Sequence, residues 1–443
     1  MEKIASVSIK RNLYISLFEP QLIRSYLLAK NSNFLIDLNK EFNVYIITSS
    51  QLEHSVSQGI AKASLNGLVQ IIRFDKYKDT KLTRLLSFVL VWSNQSPALK
   101  LKISRLIHED HKIFLFVLRL LVNKFSPKSD GFIKLMRLCY LKSMKTDKLA
   151  DYFSRSIAHN ASDLVFITSL TNSWEDIQVA IYFKKYQARI IGTVRSWDNL
   201  TNHGYLKFLP DIFIFHSEAM ETFGKNFQRM AHCEKKCLVT PVYQEKYWTR
   251  RQVQSLEVTS IAYMCMGKVT NPDDENFVRW LIEIWSEFPE NFRLTIIQHP
   301  NFLINIDDSN LTGNINFKIF HYSNSNLTDY YNFIAQQDLI ICGGTTAALD
   351  SAFLNTPIAI IGFEIKQQNH SASALRYFDS KPHTKNFFND CKVLIMSDKQ
   401  DLLNTVTNPR KIPALEVSKV SFYTGRRDID FNRELINTMK EFH

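Results

Sequence analysis

Short apolar runs alternate with amphipathic stretches along most of this chain. Residues 13–18 form a buried-strand pattern, and after Glu19-Pro20 the apolar positions take helical spacing through Leu22, Ile23, Leu27, Phe34, Leu35 and Leu38. Residues 43–48 return to a strand, which completes one β-α-β unit, the building block of a parallel sheet. Near Asp79 the alternation gives way to helical patterns rich in Leu, Phe and Lys that run to about Lys148. It resumes at Asp163, predicting strands over 164–169, 189–194, 211–216 and 237–242, a helix over 174–186, and a further helix capped by Ser217.

A second set of elements follows the polar stretch 244–258, the predicted linker. Strands are expected over 260–266, 293–298, 317–321, 338–342 and 357–362, with helices over 273–288, 327–336 and 346–354, the first opened by Asn271-Pro272. The fold class expected is α/β: two Rossmann-like domains facing across a cleft, with a helical insertion at about 80–150 in the first. The boundaries expected are 1–250, 251–425 and a terminal helix at 426–443, whose pattern through Phe431, Leu435 and Met439 fits a helix crossing back to the first domain or one packed locally. Ligands of open parallel sheets bind beyond the carboxyl ends of the strands, so the loops there are where chemistry is expected.

Composition narrows the class. The chain has 443 residues, 45% hydrophobic and 22% charged, with only 12 Gly and 12 Pro, which excludes collagen-like and disordered chains. Lys and Arg exceed Asp and Glu by 11, and the excess is clustered: residues 99–148 hold twelve basic and four acidic side chains. Six scattered cysteines, with no CxxC pair, read as reduced thiols. No secretory signal is expected, because the first apolar run is short and is followed by Glu19-Pro20, and the longest, 113–122, is interrupted by Arg119. These features fit a cytoplasmic protein, either free or peripheral on the inner face of the plasma membrane.

Three loops hold the candidate chemistry. The strand at 338–342 leads into Gly343-Gly344-Thr345-Thr346 and a helix, a combination of glycines, hydroxyls and helix-start N–H groups that suits phosphate, with Asp350 one turn on. An ordinary strand-to-helix turn has the same composition, so both readings stand. The loop after the strand at 189–194 packs Ser196, Trp197, Asp198, Asn199, Thr201, Asn202 and His203 into nine residues ending at Gly204. Such a loop either presents its side chains to a ligand or spends them on Asx-turns and a Trp anchor. His299 ends a strand of the second set, before Pro300.

The Ser196–Thr201 run with Gly204, then His299-Pro300, then Gly343-Gly344-Thr345-Thr346 leading to Asp350, resembles bacterial surface-polysaccharide glycosyltransferases of the GT-B type. Related glycerophosphotransferases and sugar 2-epimerases share the pattern. The resemblance implies transfer of a sugar from a nucleotide-sugar donor to a surface-polysaccharide or lipid-linked acceptor, with no metal and no resident cofactor. It implies a donor site of His299, Gly343, Gly344, Thr345, Thr346 and Asp350, with Asp350 where relatives usually carry Glu. Ser196, Trp197, Asn199 and Thr201 would line the acceptor side, and Asp198 is the first choice of catalytic base, with Glu19 and His203 behind it. Polyol-phosphate transfer from a CDP-linked donor is the alternative within the same chemistry.

The basic insertion has two readings. It is a helical subdomain with a solvated basic side, or a surface on which Lys and Arg beside Phe114, Leu118 and Leu121 meet an anionic membrane. Nucleic-acid binding is the competing class, prompted by the charge and 12% aromatics. It is disfavoured because no RRM, KH, zinc or helix-turn-helix pattern is present.

Overall fold

The computed structural model describes residues 10–29, 32–75, 80–108, 113–127, 129–144, 162–171, 173–230, 233–237, 258–266, 273–285, 287–299, 304, 317–321, 327–365, 381–413, 415–426 and 428–441. The linker stretch 244–257, Asn271-Pro272, Pro300 and residues 145–148 lie outside them.

Two parallel sheets organise the chain. The first contains β1 (Arg11–Ser16), β2 (Phe42–Thr48), β3 (Gln70–Arg73), β4 (Leu164–Ile167), β5 (Arg189–Gly192), β6 (Ile212–Phe215) and β7 (Glu234–Cys237), in the order β3-β2-β1-β4-β5-β6-β7. The second contains β8 (Thr259–Met264), β9 (Phe292–Gln298), β10 (Phe317–His321), β11 (Leu339–Cys342), β12 (Ile358–Ile361) and β13 (Leu394–Met396), in the order β10-β9-β8-β11-β12-β13. β4, β6, β11 and β12 are buried along their whole length, as continuous apolar runs demand of strands covered on both faces.

The pattern-derived elements shift in detail. The apolar run from Leu22 to Leu38 is broken into α1 (Pro20–Ile23), a π-turn over Arg24–Leu28, and α2 (Phe34–Glu41). The last described strand of the first sheet is Glu234–Cys237, held by backbone pairing to β6; residues 238–242 of the strand expected over 237–242 lie outside the described residues. α3 (Glu53–Lys62) and β3 had no signal in the pattern; only one residue of β3 is buried.

Among the described residues the insertion holds four helices: α4 (Lys81–Trp92), α5 (Pro97–His108), α6 (Ile113–Phe125) and α7 (Asp130–Ser143). α4 packs between α6 and α7. In the remainder of the first half α8 (Trp174–Lys185) follows β4, the short α9 (Asn199–Asn202) follows β5, and α10 (Glu218–Gln228) follows β6, capped by Ser217, whose hydroxyl accepts from the Met220 N–H at 3.2 Å. The second half adds α11 (Asp274–Trp285), α12 (Leu327–Ala335), α13 (Ala347–Phe353), α14 (Pro382–Asp390), α15 (Lys399–Thr407) and α16 (Val417–Thr424).

Both ends of the second half touch the first. α10 packs against α14 and α16, with the Phe223 ring edge-on to His383. The terminal helix α17 (Phe431–Lys440) lies on α2, where Phe431 joins Tyr26 and Phe34 in a ring cluster and the Asn432 amide donates to Asp37 at 2.9 Å. Ring contacts of this kind contribute about 0.5–1.5 kcal/mol each beyond area burial, enough to hold the helix there.

Candidate active site

The strand order reverses direction between β1 and β4 in one sheet and between β8 and β11 in the other. At such a point adjacent loops leave in opposite directions and a crevice opens beyond the strand ends. Both crevices open into a single cavity of about 750 Å³. From the first half it is lined by Pro20, Gln21, Ile23, Arg24, Leu28 and Ser55, and by Arg195, Ser196 and Asp198 after β5. From the second half come Met264, Cys265 and Met266 at the end of β8, Ile297, Gln298 and His299 at the end of β9, Tyr330, Thr345, Thr346, Ala347 and Asp350 after β11, and Lys381 before α14.

The cavity lining carries three cations, Arg24 and Arg195 from the first half and Lys381 from the second. Thr345 and Thr346 add hydroxyl-bearing side chains to the same lining. Thr346 precedes α13 without using its side chain as a cap. The turn itself is largely self-bonded: the N–H of Thr345 donates to Gly343 O at 2.7 Å, and those of Ala348, Leu349 and Asp350 donate to Thr345 and Thr346. Anion binding here therefore falls mainly to hydroxyls and cationic side chains rather than to a fan of free N–H groups.

Gly343 and Gly344 are buried and absent from the cavity lining. Gly343 is required by its neighbour, since a Cβ there would lie 1.8 Å from Met266 Sδ. Gly343→Ala is expected to cost about 1–3 kcal/mol by overpacking. Denaturant unfolding should show that loss and its partial recovery when Met266→Ala is added.

The loop after β5 spends most of its polar groups on itself. Asn199 Oδ1 accepts from the Ser196 N–H and the Thr171 hydroxyl, both at 3.1 Å, and the Thr201 hydroxyl donates to Asp198 O at 3.1 Å. Trp197, Asn199 and Thr201 are buried and do not line the cavity; Trp197 packs edge-on to His216. Their density serves to hold a sharp loop, and only Ser196 and Asp198 of the expected set reach the cavity.

Asp198 and Asp350 are the carboxylates of the lining, and Asp198 is the one at the junction of the two halves. Its carboxylate accepts from the Ser196 hydroxyl at 2.8 Å and the Asn202 amide at 2.5 Å, and Lys381 Nζ lies 3.8 Å away across the interface of the two halves. Burial works to raise its pKa, but Lys381 first, then His383, His203 and the Ser196 donor outweigh that and hold it below the usual carboxylate range.

Glu19 sits one layer behind the cavity, accepting from the Ser169 hydroxyl at 2.6 Å and paired with the cavity-lining Arg195. His203 is also behind it; burial, with Lys102 nearby, lowers its pKa to about 4, so the ring is neutral at pH 7. His299 reaches the cavity, half-buried, its pKa lowered by burial.

Arg195 and Lys381 were not singled out by sequence. Arg195 stands immediately before the loop that was, at the carboxyl end of β5, where the strand-end rule points. Lys381 stands immediately before α14 and belongs to no motif.

No protein-family model and no curated protein matches this chain. Solved structures do. The UDP-GlcNAc 2-epimerase from Methanocaldococcus jannaschii aligns over 97% of this chain and 99% of its own, with a TM-score of 0.51 and 10% identity. A Listeria monocytogenes protein assigned as a UDP-N-acetylglucosamine 2-epimerase aligns over 98% and 97%, with a TM-score of 0.50 and 10% identity. The likeness is one of fold: two parallel-sheet α/β domains arranged as in GT-B enzymes.

Proposed function

We propose that this chain is a nucleotide-sugar-dependent glycosyltransferase, with the donor held against the second half and the acceptor against the first. The observation that carries the reading is that both strand-order switch points open into one cavity whose charged lining holds three cations, Arg24, Arg195 and Lys381, against two carboxylates, Asp198 and Asp350. A nucleoside diphosphate has the charge and the size for it. The Met264, Met266, Ile297 and Tyr330 wall offers apolar surface for a base, and the volume suits a ligand of that class.

In the proposed reaction an acceptor hydroxyl oxygen bonds to the anomeric carbon, the bond from that carbon to the diphosphate oxygen breaks, and its electron pair leaves with the diphosphate. Arg24, Lys381, Thr345 and Thr346 would stabilise the charge that builds there, with no metal required. The hydroxyl proton goes to Asp198. While paired with Lys381, Asp198 is a weak base, since efficient proton acceptors have pKa values near the working pH. A diphosphate that draws Lys381 toward itself would relieve that depression and raise the basicity of Asp198 as the donor binds.

The two structural neighbours carry the name of UDP-sugar 2-epimerases, which favours a second reading: epimerisation of a UDP-sugar in the same cavity. Conversion of UDP-GlcNAc without any acceptor would select it.

The direct test is thermal denaturation with UDP, CDP, GDP, ADP and CMP. A nucleotide at 100 times its Kd adds about 2.7 kcal/mol to apparent stability. One diphosphate is expected to give that gain, and Thr345→Val with Thr346→Val to remove it. A gain retained in the double variant, or none with any nucleotide, would sink the reading.

A further inference from the structure

α6 is built inside out. Its inward face carries Asn123, fully enclosed, whose amide donates to Trp92 O at 2.9 Å and Asn94 O at 2.7 Å, and Arg119, whose guanidinium lies 4.0 Å from the centre of the Trp92 ring. Its outward arc, at helical spacing, is Ile113, Phe114, Val117, Leu118, Leu121 and Phe125, with Lys124 the charged member among them. Ile113, Phe114 and Phe125 are 67%, 77% and 70% exposed. A solvated helix has the reverse arrangement, and an apolar face of this extent marks an interaction surface.

The neighbouring helices continue the pattern. α4 exposes Leu82 and Leu85 beside Lys81 and Arg84, and α7 exposes Leu135 and Leu138 beside Lys134 and Lys142. The exposed acid on α7, Asp130, is paired with Arg229 at 3.3 Å. Apolar side chains interleaved with cations match the boundary of an anionic bilayer, where the rings and leucines enter the acyl region and the lysines meet the headgroups. A second copy of this chain would set the same cations against each other across a two-fold axis. Among the described residues no helix is long and apolar enough to cross a membrane, so the contact is one of lying on the surface.

We infer that the outward face of α6, with the exposed leucines and cations of α4 and α7, docks this protein on an anionic lipid bilayer. The docked element is joined to the cavity. The Ser96 hydroxyl, between α4 and α5, donates to Thr201 O, Lys102 of α5 donates to Asn202 O at 2.7 Å, and Arg137 of α7 donates to Leu206 O at 2.8 Å and Gln228 O at 2.7 Å. Gly204, at φ +78°, lets this loop pass so close to α4 that a Cβ would fall 2.3 Å from Val91 O. A docked α6 thus sets the Asp198 loop at a fixed station relative to the lipid surface, whichever reaction the cavity performs.

Co-sedimentation of the full chain with phosphatidylcholine vesicles, with and without about one-third phosphatidylglycerol, tests this. Binding is expected only with the anionic vesicles, weakening as salt rises, and lost in Phe114→Ser/Val117→Ser/Leu121→Ser, whose exposed sites leave folding intact as judged by an unchanged melting temperature. Lys81→Glu/Lys124→Glu/Lys134→Glu keeps the apolar face and should weaken binding about fivefold or more per residue. No binding to either vesicle, equal binding to both, or charge-reversal variants that bind as well as the parent would each overturn the inference. So would a dimer in sedimentation velocity that the serine variant dissociates. Nucleotide-induced stabilisation is a separate readout, so failure here and failure of the proposed function are distinguishable.

Discussion

Lys381→Met is expected to lose at least tenfold in nucleoside-diphosphate affinity and about 2–3 kcal/mol of stability at pH 7. Removing one partner of a buried ion pair typically costs about 3–5 kcal/mol, and the figure is reduced here because the Asp198 side chain keeps 21% exposure while Lys381 keeps 6%. The sign with pH follows from the direction of the Asp198 shift. Its folded-state pKa is depressed, so its contribution is present above the unfolded value of about 3.9 and is lost as pH falls through the folded value. In Lys381→Met burial is left to push the Asp198 pKa up, so the variant takes up its proton at a higher pH than the parent and the stability gap should narrow as pH falls from 7 toward 4. Adding Asp198→Asn removes the orphaned charge and should restore most of the stability but not the affinity. Urea unfolding at pH 7 and 4.5, with calorimetric titration of the diphosphate, separates the two roles; equal affinity in the single variant would remove Lys381 from the binding site.

Asp176→Asn is expected to stabilise the protein at neutral pH. Asp176 lies in the first turn of α8, fully enclosed, with neither carboxylate oxygen hydrogen-bonded. Burial, aided by the charges of Glu19 and Glu175, raises its pKa well above the ordinary value; the Ser16 and Ser173 hydroxyls lie near enough to oppose that but not in hydrogen-bonding geometry with the carboxylate. A raised acid pKa favours the protonated form in the fold. As pH climbs from about 3.9 toward the folded value, stability falls by about 1.4 kcal/mol per unit. Asparagine has nearly the same shape and no charge to bury, so the variant should be more stable than the parent at pH 7 and lose this part of the slope. Denaturation midpoints at pH 5, 6 and 7 that run parallel for parent and variant would mean the carboxylate is ionised in the fold without penalty.

Much of the fold was legible because parallel strands buried on both faces must be apolar throughout. β4, β5, β6, β11 and β12 therefore stand out as runs. Elements whose side chains do not decide their structure were illegible. β3 and β7 are edge strands held by backbone pairing, and β7 is Glu-Lys-Lys-Cys. Of the later helices, α14 and α16 pack against α10 of the first half, a partner far away in the chain, whereas α15 lies on β13 of its own sheet.

The sequence by itself determined that two β/α sets would form two parallel sheets, and it marked the strand-end loops where Ser196, Asp198, His299, Thr345, Thr346 and Asp350 now line a cavity. Hydrophobic period and loop composition are local properties, so one chain segment suffices to read them. Only the tertiary structure decided that Trp197, Asn199, Thr201 and Gly343 are spent on packing, that Lys381 meets Asp198 across the halves, and that α6 turns its apolar face outward. Which neighbour satisfies a buried group, and which face of a helix meets the core, are settled by contacts between residues far apart in the chain, and no window of sequence contains both partners.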